Sequence, residues 1–255
     1  METKLNYKRT FLIGLAFLSI CSFWQMYDNI IPLILQNTYH LGETMTGAVM
    51  ALDNVLAIFL LPVFGTLSDK VHTKLGRRMP FIVAGTILAV IFMMLLPMID
   101  NAEKARWGTV ESFSNQVIFL AVLFFTLVSM GLYRSPAVAL MPDVTPNHLR
   151  SRANAVINLM GAVGGVYALI MIKVLVGKGE TPDYLPLFAS IAAVMAIAVG
   201  ILVMTIRENK LREEVEKAEA AIAETIEEKA MAEGVEAVGE IEAVGDTGAV
   251  KASDG

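Results

Sequence analysis

Two aspartates stand inside long apolar runs of this 255-residue chain: Asp28 within the run at 11–35 and Asp53 in the run that follows it. A carboxylate among hydrocarbon is costly in its charged form, and two acids held close share protons unequally. Such a pair is suited to taking up a proton and releasing it. Around Asp28 the chain reads Trp24-Gln25-Met26-Tyr27-Asp28-Asn29. On a helix, Gln25 and Asn29 share one face and Trp24 and Asp28 another. An aromatic ring beside amides and an acid suits a sugar, with the ring on its apolar face and the polar groups on its hydroxyls. Asn54, next to Asp53, and Asn154 with Asn158 further along are additional polar candidates. Plainer readings stay open beside these. Each Asp could bond a neighbouring helix or line a wet vestibule, Trp24 and Tyr27 could belong to an interfacial aromatic belt, and Asn side chains also join helices together.

The segments that carry these residues look like membrane spans. Apolar residues make up 55% of the chain and the mean hydropathy is +0.60, too high for an ordinary soluble domain. About 20 predominantly apolar residues cross a bilayer. Six stretches qualify, at roughly 10–36, 45–67, 80–99, 115–137, 153–176 and 185–206. Pro80, Pro97, Pro142, Pro146, Pro182 and Pro186 fall near their expected ends. The first run is too long for a signal peptide and no small-x-small site follows it, so it reads as an uncleaved first span. Asp28 and Asp53 then lie about eight residues from the same membrane face, roughly 12 Å deep on antiparallel neighbours. Gly161, Gly164 and Gly165 suggest close helix packing in the fifth span.

Charge fixes an expected orientation. Fourteen Lys and Arg, from Lys4, Lys8 and Arg9 through Lys70, Lys74, Arg77, Arg78, Arg134, Arg150 and Arg152 to Arg207, Lys210, Arg212 and Lys217, fall on one side. Lys104, Arg106 and Lys178 fall on the other, so both termini are expected in the cytoplasm. The chain divides into a six-span unit at 1–206, a charged cytoplasmic helix at 207–232 and a disordered acidic tail at 233–255. The first unit carries a formal charge of +3 and residues 207–255 carry −8.

Several function classes find no support. A single cysteine, Cys21, rules out an internal disulfide framework and a cysteine zinc site. The three His share no helix face, and no Walker-type phosphate loop is present. No enzyme activity, cofactor, metal or nucleic-acid partner is therefore expected. The expected partners are the lipid bilayer, in a multi-pass arrangement in the plasma membrane, and a small polar molecule.

The loop between the second and third spans is the most specific stretch. Gly65-Thr-Leu-Ser is followed by Asp69-Lys-Val-His-Thr-Lys-Leu-Gly76-Arg77-Arg78. Asp69, in a basic neighbourhood, should pair with Arg77, Arg78 or an arginine on another helix. Arg134 is expected at the inner end of the fourth span, at the depth of this loop. Such a network could latch one conformation, and Pro142-Asp143 with Arg150 and Arg152 could form a second latch of the same kind.

The pattern Gly-x-Leu-x-Asp-(x)6-Gly-Arg-Arg resembles the loop between the second and third helices of major facilitator superfamily transporters. Residues 67–82 look like the Ser-Asp-Arg…Gly-Arg-Arg-Arg-Pro-Phe-Ile stretch of sucrose/proton symporters. Arg134-Ser-Pro-Ala-Val-Ala-Leu-Met-Pro-Asp143 is similar, with imperfect spacing, to a segment at the end of their fourth helix. The resemblance covers about residues 8–206 and points to the glycoside–cation symporter branch. It implies an all-α bundle of two three-helix inverted repeats, substrate near the bilayer midplane, and alternating access driven by a proton or sodium gradient. Transporters of this kind have two six-helix halves, so a C-terminal half or a second copy is expected to complete the path. A drug or metabolite exporter of the same superfamily, or a membrane scaffold acting through its acidic tail, are the alternative readings.

Overall fold

The computed structural model of the chain describes residues 5–106, 113–177, 179 and 181–232. The expected acidic tail at 233–255 lies outside them, as do Lys4 and Lys178. The described residues form helices and no strand: α1 (Tyr7–Asn37), α2 (Glu43–Met50), α3 (Leu52–Lys70), α4 (Met79–Lys104), α5 (Phe113–Asp143), a 3₁₀ turn at Asn147–Leu149, α6 (Arg150–Leu175), α7 (Leu185–Thr205) and α8 (Glu208–Ala232). Six spans are long and apolar enough to cross a membrane, with α2 and α3 together supplying the second at Glu43–Lys70.

Two spans run further than the sequence suggests. Pro97 and Pro136 lie inside α4 and α5, whereas Pro142 stands one residue from the end of α5, near a helix end as expected. A proline removes one backbone donor, but in a packed membrane bundle the neighbouring helices can absorb the local distortion. Pro80 and Pro186 occupy first-turn positions, where the missing N–H costs nothing.

The helix pairing carries an internal symmetry. α1 packs on α6 and α7, α5 packs on α3 and α4, and α4 packs on α7. Exchanging the first three spans for the last three converts α1·α6 into α5·α3 and α1·α7 into α5·α4, and leaves α4·α7 unchanged. This is the arrangement expected of two three-helix repeats. The core lies along α1, α5 and α7, with Phe23, Met26, Tyr27, Ile30, Tyr133, Phe188 and Ile191 fully buried. α3 is peripheral, and Val55, Ile58, Phe59 and Val63 face outward.

Close approach of α1 and α6 depends on Gly164. A Cβ there would overlap the Leu18 carbonyl, and the Ser22 hydroxyl donates to the Gly164 carbonyl at 2.9 Å. Tyr133 ties α5 to α1 through the Ser19 hydroxyl, 2.7 Å away, and the Ala16 carbonyl at 3.1 Å.

Beyond α7 the chain turns back on the bundle. Leu211 and Val215 of α8 are buried, Arg9 meets Glu214 at 3.3 Å, and the Asn147 N–H donates to Glu219 at 3.1 Å. α8 is therefore seated on the basic end of the bundle rather than solvated on all sides.

Candidate functional site

An open groove of about 430 Å³ runs between α1 and α6. Trp24, Gln25 and Asp28 line it from α1, and Asn158 faces them from α6. Cys21 lies on the same wall. The groove forms because small residues, Gly161, Ala162 and Gly165, face α1 along that stretch of α6.

Trp24 also walls a second, smaller cleft. There it meets Asp53, Leu56 and Leu60 of α3 and Gly131 and Arg134 of α5. The Arg134 guanidinium lies over the Trp24 ring, 5.5 Å from its centroid, a cation–π geometry. Asp28 lines the groove and Asp53 the cleft, with Trp24 in the wall of both. One aromatic side chain therefore separates a largely apolar groove that carries Gln25, Asp28 and Asn158 from a cleft that holds one acid and one arginine.

The expected site residues divide between these surroundings. Trp24, Gln25, Asp28 and Asn158 come together in the groove. Tyr27 is buried against Phe23 and Trp24 instead, at centroid distances of 6.1 and 5.4 Å. Asn29 turns its amide back to the Gln25 carbonyl at 2.7 Å, and Asn54 donates to Asp53 at 2.9 Å. Neither lines the groove. Trp24 Nε1 and the Tyr27 hydroxyl are buried without a hydrogen-bond partner among the described residues.

The loop network forms at the basic end. Arg78 Nη2 meets Asp69 at 2.6 Å and its Nε meets Asp143 at 2.9 Å. Arg77 Nη2 meets Asp143 at 2.8 Å and its Nη1 meets Asp69 at 3.5 Å. Arg78 also donates to the Gly65 carbonyl at 3.2 Å and to the Ser68 hydroxyl. Burial opposes the charge on Arg77, yet Asp143, Asp69 and Glu208 outweigh it and hold the guanidinium above its ordinary value.

Arg134 has no place in that network. α5 continues through Pro136 to Asp143, so Arg134 stands nine residues from the helix end, about 13 Å along the axis. The acid opposite the loop is Asp143 at that end. Nor do Arg150 and Asp143 make a separate latch: Arg150 donates to the carbonyls of Pro142 at 2.9 Å and Thr145 at 3.2 Å, closing the end of α5.

Two groups of polar residues escaped the sequence reading. Glu208, fully buried, accepts from the backbone N–H of Arg77 at 2.9 Å, Arg78 at 3.0 Å and Met79 at 3.1 Å. At the opposite end of the bundle Asp100, also fully buried, accepts from Lys104 at 2.6 Å and Thr38 at 2.7 Å. Lys104 reaches the Pro182 carbonyl at 2.6 Å and lies over the Tyr184 ring at 4.4 Å. Burial, reinforced by Asp100, pushes the Tyr184 hydroxyl up from its ordinary value. The i,i+4 spacing of Asp100 and Lys104 was the one local signal for this cluster.

Residues 5–241 match the family model described as Major Facilitator Superfamily. The chain belongs to the major facilitator superfamily. It is an integral, multi-pass membrane protein whose six spans form one half of that architecture. It is similar to the sucrose transport protein SUC4 of Arabidopsis thaliana, at 34% identity over 43% of this chain and 22% of that protein. It is also similar to the sucrose transport protein SUT3 of Oryza sativa subsp. japonica, at 26% identity over 51% of this chain and 27% of the other. An uncharacterized symporter of Synechocystis is 24% identical over 54% of this chain and 25% of its own length. The chain thus aligns with about a quarter of each of these relatives.

Proposed function

We propose that this chain forms the N-terminal half of a cation-coupled sugar transporter that works by alternating access. The observation that carries the reading is the α1–α6 groove, where Trp24, Gln25, Asp28 and Asn158 converge beside a cleft holding Asp53 and Arg134. Trp24 and the two amides bind the sugar, and its named relatives make a sucrose-like glycoside the first candidate. Asp28 and Asp53 carry the coupling proton, with sodium as the other candidate ion. Arg134 supplies the counter-charge that either acid needs when it is ionised.

The pairs that Arg77 and Arg78 form with Asp69 and Asp143 act as a conformational latch at the basic end, which faces the cytoplasm on the lysine and arginine count. A C-terminal half or a second copy completes the path against the outward apolar face of α3.

The test is uptake of labelled sucrose into proteoliposomes carrying the complete transporter, driven by an imposed proton gradient. Asp28→Asn and Asp53→Asn are expected to abolish gradient-driven uptake while sugar exchange survives. Wild-type uptake in both variants would overturn the coupling assignment. Failure of the unmodified transporter to move any glycoside would overturn the substrate class.

A further inference from the structure

Four cations converge on an open pocket of about 300 Å³ at the basic end of the bundle: Lys8 and Arg9 from the start of α1, and Arg207 and Lys210 from the α7–α8 junction. Leu12, Ile206 and Leu211 form its apolar floor, and Glu214 is the one carboxylate in its wall among the described residues. The pocket therefore carries a formal charge of +3 beside a segment that is strongly acidic overall.

The acids of α8 from Glu208 to Glu219, the part of the helix nearest the pocket, are held by other groups or by Arg9. Glu208 caps α4, Glu213 pairs with Lys217, Glu216 with Arg212, and Glu219 accepts from the Asn147 N–H. Glu214 is taken by Arg9. Among the described residues, Lys8, Arg207 and Lys210 have no carboxylate partner. All three are exposed, so their charge is available to a ligand.

Depth decides what kind of ligand. The pocket lies where spans α1 and α7 end, at Tyr7 and Thr205, which is the level of the headgroups. Tyr7, Phe11 and Met204 beside it are 62%, 50% and 86% exposed, a surface for hydrocarbon directly next to the charges. A phosphate held by lysine and arginine with apolar chains alongside is the chemistry of a lipid headgroup. We propose that this pocket binds the phosphate of an anionic phospholipid, whose acyl chains run along α1 and α7. The lipid would join the junction that carries Glu208 to the first span, so the seating of α8 would depend on membrane composition.

The experiment uses the full chain purified in detergent and titrated with phosphatidylglycerol or phosphatidylcholine, with bound lipid counted by native mass spectrometry. Preferential retention of phosphatidylglycerol is expected. Arg207→Gln with Lys210→Gln should weaken it roughly 25-fold, from about fivefold per cation near a membrane surface. Arg212→Gln with Lys217→Gln, the same charge change on paired residues of the same helix, should leave it unchanged. Helicity measured by circular dichroism verifies that both variants are folded. Equal retention of the two lipids, or equal loss in the two double variants, would overturn the proposal. Displacement of phosphatidylglycerol by millimolar inorganic phosphate would assign the pocket to a soluble anion and overturn the lipid assignment.

Discussion

Glu208 accepts a hydrogen bond from the backbone N–H of Arg78 through each of its carboxylate oxygens, at 3.1 and 3.0 Å. The two residues are 130 positions apart. α4 has no side-chain cap of its own, and Arg78 at its N-cap position sits in helical backbone geometry. A buried anion from the end of the last span therefore satisfies the orphan donors at the start of the third, where the helix dipole favours negative charge. The same loop carries Arg77 and Arg78 to Asp69 and Asp143, so the cap and the ion-pair network meet in one short segment.

Glu208→Ala leaves three backbone donors of a buried helix end unpaired. The expected cost is about 2 kcal/mol of bundle stability. Glu213→Ala, on the exposed face of the same helix, is expected to leave stability nearly unchanged. Thermal unfolding in one detergent compares them, and equal shifts would exclude the capping role.

Gly76 has φ of +121°, and a Cβ there would collide with the Glu208 carboxylate. Gly76→Ala should destabilise by more than about 1 kcal/mol through backbone strain and displacement of the cap. Gly47→Ala is the contrast: that glycine is helical with nothing near its missing Cβ, so gaining helix propensity should leave stability unchanged or raise it. Matching effects at the two sites would count against this reading.

Lys104→Met removes the charge partner of a buried carboxylate. The expected loss is about 3 kcal/mol, and Asp100→Leu in the same chain should recover much of it by removing the stranded charge. A double-mutant cycle on unfolding free energies measures the coupling. Additive losses would show that the pair does not act as a unit.

Cys21, the only cysteine, lines the proposed sugar groove. Alkylation of Cys21 in the complete transporter by a small maleimide, followed on the peptide that carries it, should slow severalfold when saturating sugar is present. A rate indifferent to every sugar that the transporter moves would place substrate away from the groove.

Lys217 donates to Glu213 at 2.6 Å, holding Glu213 below its ordinary value of 4.5 and Lys217 above its ordinary value of 10.5. A depressed carboxylate contributes stability above its ordinary value and loses it as pH falls through the lowered one. A raised lysine contributes below its ordinary value and loses it as pH rises through the raised one. Amide protection at 213–217 should therefore be level at intermediate pH and fall on both sides. In Lys217→Gln the contribution of this pair should vanish, and protection that rises on acidification would contradict the pairing.

The membrane class, the six spans and the basic loop at 65–78 were legible in the sequence because hydropathy and charge bias act over windows of about 20 residues. The convergence of Trp24, Gln25 and Asp28 followed from helical periodicity alone, since all three lie on two adjoining faces of one helix. Partners across helices were not legible in this way. They depend on helix rotation and on how closely the axes approach, and a sequence read locally carries neither. Arg134 was expected at the loop, but a proline that α5 absorbs moved the helix end to Asp143 and left Arg134 over Trp24. Glu208 opens a stretch whose composition predicts only a charged cytoplasmic helix, yet the return of the chain after α7 buries it against α4. Asn29 and Tyr27 share the polar stretch of α1 with Asp28, but rotation turns one to its own backbone and the other into the core. Composition and periodicity determined that this chain crosses the membrane and which stretches do so. Only the packed bundle decided which polar groups face one another, because a buried polar group takes its partner from whatever the neighbouring helices present at the same depth.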